Sequence, residues 1–405
     1  MQLKNAMCIE DLRAMARRKV PRVFIEYMEA GSYSEHTRDA NVDDMTKIKL
    51  RQRVLRDMSQ RKLATTVLGE ELSVPLALAP TGLAGMQYAD GEILACRAAH
   101  AAGLQFTLST MSICSIEDVA GAVNKPFWFQ LYVMRDRGFV KALIERAEKA
   151  GCSALFLTVD LPVNGQRHVD MRNGLSVPPR LTARTVFDVL RRPAWAWRIL
   201  NGKRKTFANV DGHLPGGHGF GGMTLAEWTH SQFDVTVNWN DVAWIRSIWP
   251  RKLVLKGILD PEDAREALKT GADGIVVSNH GGRQLDGAPS TISALPKVAD
   301  AIGGQKEILL DSGVRTGQDI FRALALGANA CMIGRPFLYG LGAAGEAGVA
   351  RALDIFRNEL DTTMILAGID DVAKIDHRAL ASELPGFAAR NWLVIPGERS
   401  ETRNP

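Results

Sequence analysis

KTGADGIVVS (Lys269–Ser278) and ALGANACMIG (Ala325–Gly334) are built alike: a helical pattern ends at glycine, and an unbroken apolar run starts a few residues later. Glycine just past a helix supplies the left-handed cap that ends it. A short continuous apolar run is what a parallel strand covered on both faces requires. HAAGLQFTLS (His100–Ser109) and KAGCSALFLT (Lys149–Thr158) repeat the pattern. Working outward from these four, the expected strands are Leu76–Ala79, Phe106–Leu108, Phe127–Phe129, Ala154–Leu157, Leu253–Leu255, Gly274–Val277, Ile308–Leu310 and Cys331–Ile333. Helical patterns fill intervals at Gly91–Ala102, Arg137–Ala150 and Pro261–Thr270; ahead of the last, DPEDA sets an N-cap, a proline and acidic residues into the first turn. Eight such units predict an α/β fold, a (β/α)8 TIM barrel with an N-terminal helical extension. A doubly wound sheet would need a strand-order reversal that nothing in the pattern signals.

Residues 1–405 read as one domain, interrupted after the fourth strand by a long inserted loop at 168–235. Within it, Arg180, Arg184, Arg191, Arg192, Arg198, Lys203, Arg204 and Lys205 face one acidic residue, Asp188. Val186, Phe187, Val189, Leu190, Trp195, Trp197, Ile199 and Leu200 are interleaved with them. Basic residues mixed with tryptophans fit a surface lying on an anionic bilayer, and equally a solvated or inter-subunit loop. Further on, LPGGHGFGG (214–222) reads as flexible.

The net charge of +5, from 50 basic and 45 acidic residues, gives no case for nucleic-acid binding, and no such motif accompanies it. Five scattered cysteines (Cys8, Cys96, Cys114, Cys152, Cys331) form no C-x-x-C pair, which argues against a disulfide framework or zinc site and for a reducing, intracellular setting. The N-terminus has no signal-like apolar core. The uncharged stretch Leu72–Ala89 carries two prolines and two glycines, poor material for a spanning helix.

In such a barrel the site gathers at the C-terminal strand ends. There the sequence offers Thr81, Ser109, Gln130 with Tyr132, Thr158 with Asp160, Lys256, His280, Asp311 and Arg335. After the last two strands, DSGVRTG and IGRP bring glycines together with Arg315 and Arg335, a combination suited to phosphate. The literal G-x-G-x-x-G at Gly340–Gly345 is read as a loop and helix start, because one long helix ending near Gly368 follows it and no second strand does. In SNHGGRQLDG, His280 and Arg283 lie three residues apart just past the sixth strand. Histidine is suited to proton abstraction near neutral pH and arginine to clamping a carboxylate, so the pair suits a carboxylic acid substrate. No metal site is expected, since no His or Cys pair has ligand spacing.

SNHGGRQLDG, with FQLY, DSGVR and GRP in this order, resembles the FMN-dependent 2-hydroxy-acid dehydrogenase/oxidase family, from about Asp11 to about Gly368. Within it, YMEAGSYSEHTRDANVDD, FTLSTMSIC, WFQLYVMRDRGF and KGILDPEDA look most like the membrane-associated bacterial L-lactate dehydrogenases. The resemblance implies FMN as cofactor and His280 as the base, with Asp160 stabilising its charged form. It implies Arg283, Arg167 and Tyr27 on the substrate carboxylate and Tyr132 on the hydroxyl. Lys256 would sit by the N1 and C2 carbonyl edge of the flavin. Ser109, Gln130 and Thr158 would hydrogen-bond its ring, and Pro80, Thr81 and Gly82 would face N5. Asp311 would take ribityl hydroxyls, while Gly313, Arg315, Gly334 and Arg335 would hold the phosphate. A carbanion and a hydride route both need His280.

The implied reaction is L-lactate to pyruvate, with electrons passing to an external acceptor, a quinone before oxygen, because no haem motif is present. The implied assembly is a homotetramer, peripheral on the cytoplasmic side of the inner membrane or cytoplasmic. Gly82 and Asn164 look more like the mandelate enzyme of the family, which keeps open a mandelate-type dehydrogenase with a roomier pocket near Met111 and Asn164; an oxygen-using oxidase and a non-catalytic flavin- or phosphate-binding barrel are further alternatives.

Overall fold

A computed structural model describes residues 2–173, 183–204, 206–211 and 232–381. The LPGGHGFGG stretch, together with Arg180 and Lys205, lies outside them. Eight parallel strands close into a barrel: β1 (Leu76–Leu78), β2 (Gln105–Ser109), β3 (Trp128–Tyr132), β4 (Ala154–Thr158), β5 (Lys252–Ile258), β6 (Gly274–Val277), β7 (Glu307–Leu310) and β8 (Ala330–Ile333). Each pairs with its sequence neighbour and β8 closes on β1, so there is no free edge. The eight expected strands are those observed, with ends moved by one to three residues where polar residues such as Gln105, Gln130 and Lys252 continue the ladder.

The glycines on which the reading turned behave as required: Gly271 and Gly327 sit at φ +73° and +104°, a region a side chain resists, and the strand follows at once. The expected helices are present as Gly91–Ala101, Arg137–Lys149 and Pro261–Leu268. In the last, Asp260 accepts a hydrogen bond from the Glu262 amide at 2.7 Å and Pro261 opens the first turn. The Gly340–Gly345 segment differs from expectation. The helix begins earlier, at Arg335, and runs to Ala367 with a kink at Ala344 and Gly345, because strand β8 ends directly in the helix N-terminus without a loop. Gly368, at φ +66°, ends it.

Below the barrel, a hairpin of Thr65–Val67 and Glu70–Leu72 plugs the N-terminal end. Glu70 accepts a hydrogen bond from the Trp128 indole at 3.0 Å, and Trp128 stacks on Phe156 in the barrel interior at 5.0 Å. The N-terminal extension forms α1 (Ile9–Lys19), α2 (Arg22–Glu29) and α3 (His36–Lys47), which reach across to the opposite, C-terminal end of the strands.

The insertion is not only loop. It contains the short helix His168–Arg172, then α4 (Ala183–Leu190) and α5 (Pro193–Asn201). Helix α5 is anchored by Trp195, which stacks on Phe24 at 5.3 Å and donates to the Met86 carbonyl at 2.9 Å. Several of the basic residues are spent on protein. Arg192 pairs with Asp188, Arg198 lies over the Tyr88 ring, and Lys203 and Arg204 hold Asp118 at 2.7 and 2.9 Å. What remains facing outward is chiefly apolar: Phe187, Leu190, Trp197 and Leu200 are each between 61% and 70% exposed. No helix among the described residues is long and apolar enough to cross a membrane.

Candidate active site

Strand register sets the ring of polar side chains. Ser109 pairs with Gln130, Tyr132 with Thr158, and Thr158 with Lys256, so neighbouring strands deliver their chemistry at one level. These residues open into a cavity of about 530 Å³, within the range typical of ligand sites. Every expected site residue lines it except Ser109 and Asp160. Ser109 stands behind Gln130: its hydroxyl donates to the Gln130 side-chain oxygen at 3.0 Å, while the Gln130 amide donates to Thr158 at 2.9 Å. Ser109, expected on the ligand ring, is here hydrogen-bonded to Gln130, which lines the cavity.

Asp160 stands behind His280. Its carboxylate meets His280 Nδ1 at 2.9 Å, which leaves Nε2 toward the cavity. Burial drives the His280 pKa below the ordinary 6.5, and the charges of Lys256 and Arg167 push the same way against the opposing pull of Asp160. The imidazole is therefore neutral at pH 7 and able to accept a proton. Burial alone would raise Asp160, but its contact with His280, which donates to it, and the charge of Lys256 overrule that and the carboxylate stays ionised. Tyr132 is pushed up, first by burial and then by the charge of Asp160, so it remains a donor.

Lys256 lies on β5 where the ladder slips between Lys256 and Ile258. Burial opposes its charge, yet Asp311, 2.9 Å away, and Asp160 raise its pKa, and the ammonium stays protonated. It also donates to Ser278 Oγ at 2.8 Å, which in turn accepts the His280 backbone N–H at 3.1 Å.

Two cations share the cavity with His280. Arg283 donates through one nitrogen to the carbonyls of Tyr27 and Ala30, both at 2.7 Å, and lies over the Tyr27 ring at 4.7 Å. Its other nitrogen sits 3.9 Å from Asp170. Arg167 has a buried Nε without a partner, and burial followed by repulsion from Arg283 lowers its pKa. An anion placed here relieves both groups, and a carboxylate matches their fork geometry.

The far end of the cavity is also cationic. Burial lowers the pKa of Arg315, and Arg335 is pushed down to about 9 by burial and then by its neighbours Arg315 and Arg283. Among the described residues neither guanidinium has a carboxylate within ion-pair distance; Arg315 donates to the Val314 carbonyl. Arg335 donates to the carbonyls of Met28, Gly281 and Ala30 at 2.9, 2.9 and 3.0 Å, so only part of its fork remains for a ligand. Two unneutralised arginines beside Gly313 and Gly334 form a cradle whose chemistry fits the dianionic phosphate of FMN. The polar belt of Gln130, Thr158 and Lys256 fits the ring edge.

Sequence reasoning missed Ser278 and Ser312, which sit inside recognised motifs and carry the backbone of the His280 turn. It also missed Asp170. Phe207 and Phe233, which line the cavity from the insertion, follow no periodicity and left no signal; Phe233 packs edge-on to Tyr132 at 5.7 Å.

The chain is similar to known proteins over most of its length. An L-lactate dehydrogenase of Ectopseudomonas mendocina (strain ymp) is 48% identical over 374 residues, 92% of this chain and 98% of that relative. The crystal structure of the monotopic membrane protein (S)-mandelate dehydrogenase superposes with a TM-score of 0.87 at 37% identity, covering 94% of this chain and all of that one. A mandelate oxidase with (S)-2-phenylpropionate superposes with a TM-score of 0.78 at 34% identity, covering 94% and 99%. The family model described as FMN-dependent dehydrogenase matches residues 16–382, and with that span covered the chain belongs to the FMN-dependent dehydrogenase family.

Proposed function

We propose that the chain oxidises an L-2-hydroxy acid, L-lactate to pyruvate, and passes the electrons to a membrane quinone. The observation that carries this reading is His280, neutral and braced by Asp160 at 2.9 Å, sharing with Arg167 and Arg283 a cavity that fits FMN. Arg283 and Arg167 bind the substrate carboxylate, helped by Tyr27, and the protonated Tyr132 hydrogen-bonds the substrate hydroxyl. His280 Nε2 takes a proton from the substrate, and ionised Asp160 stabilises the imidazolium that results. Bound FMN supplies the two-electron acceptor. Lys256, held charged by Asp311, would favour negative charge on the bound flavin. Pro80, Thr81 and Gly82 line the same cavity, Asp311 would take ribityl hydroxyls, and Gly313, Arg315, Gly334 and Arg335 would hold the phosphate.

A second reading has its own support. The structural neighbours named above act on or bind mandelate-type ligands, and Met111, Leu161, Phe207 and Phe233 offer apolar surface to an aryl side chain, with the polar Asn164 beside them in the cavity lining. The holoenzyme mixed anaerobically with L-lactate or L-mandelate separates the two. We expect lactate to bleach the flavin at least about 10-fold faster, the scale on which one apolar contact discriminates. Recovery should be faster with a quinone analogue than with oxygen. Faster bleaching by mandelate would move the assignment, and bleaching by neither would end it.

Peripheral membrane binding and a homotetramer complete the reading. Phe187, Leu190, Trp197 and Leu200 on α4 and α5 present the apolar face, and the (S)-mandelate dehydrogenase neighbour is itself a monotopic membrane protein. Replacing the four by serine is expected to weaken binding to anionic vesicles by about 100-fold or more in cosedimentation, since each buried apolar side chain contributes about 1.5–3 kcal/mol. Activity with a soluble acceptor should stay. Unchanged sedimentation would remove these helices from the contact.

A further inference from the structure

His280 sits in an unusual turn. Its φ is +58°, and Gly281 and Gly282 follow at +71° and +72°, three left-handed residues in a row. A histidine holds that conformation only when its surroundings over-determine it. Part of the support is local: Ser278 Oγ accepts the His280 N–H, and Ser312 Oγ accepts the Gly281 N–H at 2.9 Å.

The rest comes from outside the barrel. Asn41, on α3 of the N-terminal extension, and Asn279, directly before His280, form a buried reciprocal amide pair, each donating to the other at 2.8 Å. Three backbone groups fix which way both amides point. Gly282 N–H donates to the Asn279 oxygen at 3.1 Å, Thr291 N–H donates to the Asn41 oxygen at 3.2 Å, and Asn279 donates to the Pro289 carbonyl at 3.1 Å. Flipping either amide would put like groups face to face. The helix itself presses on this turn and on the neighbouring loop after β7: a Cβ on Gly282 would lie 2.4 Å from the Arg38 nitrogen, and one on Gly313 would lie 2.0 Å from the Asn41 carbonyl oxygen.

We propose that Asn41 is a positioning residue for the reaction: through Asn279 it holds the turn that sets His280 Nδ1 against Asp160, although it touches neither substrate nor flavin. The inference rests on the reading of His280 as the base. Without the Asn41 amide, the buried donor and acceptor of Asn279 each lose one of two partners, Asn279 can turn away from Gly282, and the His280 backbone is released toward ordinary φ. A base displaced by about 1 Å costs on the order of 100-fold in rate.

The test is a four-protein cycle of holoenzymes: the parent, His280→Ala, Asn41→Ala and the double variant. It is read by anaerobic flavin bleaching with L-lactate or L-mandelate, whichever bleaches the parent faster. We expect Asn41→Ala to retain flavin and slow bleaching by about 10- to 100-fold. The primary isotope effect with α-deuterated substrate should rise. The acid limb of the pH profile should move down, because Asp160 no longer holds the imidazole pKa up. In the His280→Ala background the same change should cost nothing further. Parent-like bleaching by Asn41→Ala overturns the inference and leaves the base assignment standing. A full Asn41 effect on top of His280→Ala also overturns it, since Asn41 then acts elsewhere. Parent-like bleaching by His280→Ala overturns the base assignment itself. Should Asn41→Ala fail to fold, Asn41→Asp keeps the shape and both acceptor bonds while removing the donor. Slow bleaching with bound flavin supports the proposal, and failure of this variant to fold as well assigns Asn41 to stability alone and overturns it.

Discussion

Replacing His280 by alanine is expected to slow anaerobic flavin bleaching by a 2-hydroxy acid by about 10,000-fold, the upper range for loss of a positioned general base. The flavin should stay bound, because the cradle of Arg315 and Gly313 does not involve the imidazole. The parent's pH profile carries a companion expectation. His280 works as the neutral base, and its pKa lies below 6.5 through burial and the charges of Lys256 and Arg167. Activity should therefore be full at pH 7, persist below pH 6.5, and fall with unit slope only as pH drops through the lowered value. An acid limb above 6.5 would contradict the electrostatics, and a variant bleaching within 10-fold of the parent would remove His280 from the chemistry. Asp160→Asn should act in the same direction, since the asparagine cannot stabilise the imidazolium at 2.9 Å.

Arg315→Met is expected to separate cofactor affinity from protein stability with opposite signs. In the flavin-free protein Arg315 is a buried cation with no carboxylate at ion-pair distance among the described residues; burial lowers its pKa despite the more distant attraction of Asp319, and its charge in turn lowers Arg335. Methionine of similar length removes that penalty, so the apoprotein should be at least as stable as the parent in thermal unfolding. FMN binding, read by quenching of flavin fluorescence, should weaken by about 100-fold, the loss expected from one or two charge-assisted hydrogen bonds. Holoprotein stability should fall correspondingly by mass action. An apoprotein strongly destabilised by the substitution would mean that Arg315 is structural, and unchanged affinity would relocate the phosphate.

The barrel was legible because its punctuation is local. Gly103, Gly151, Gly271 and Gly327 each mark a helix end, and the apolar runs after them have no other stable home. The ring of site residues was legible for the same reason, since Gln130, Thr158 and Lys256 fall at strand ends that the punctuation fixes. What stayed hidden depends on contacts between distant segments. Nothing near Asn41 or Phe233 in sequence announces the His280 turn or the Tyr132 ring. The basic run of the insertion was misleading in part, because composition does not reveal that Lys203 and Arg204 turn to Asp118 and Arg192 to Asp188. The start of the helix at Arg335 was hidden because its first turn, Arg-Pro-Phe-Leu, is also a good loop sequence.

The amide pair joins residues 238 positions apart. Helix α3 leaves the ribosome early, yet its seat, formed by Asn279, Gly282 and Gly313, is synthesised only after six strands have appeared. The extension must therefore wait, its buried face exposed, until the sixth and seventh strands arrive, and such long-range closure is slow because the loop entropy is lost before the contacts form. The catalytic turn therefore cannot be set before seven of the eight strands have been made, and a chain truncated before Gly313 has no competent site to show for its finished strands.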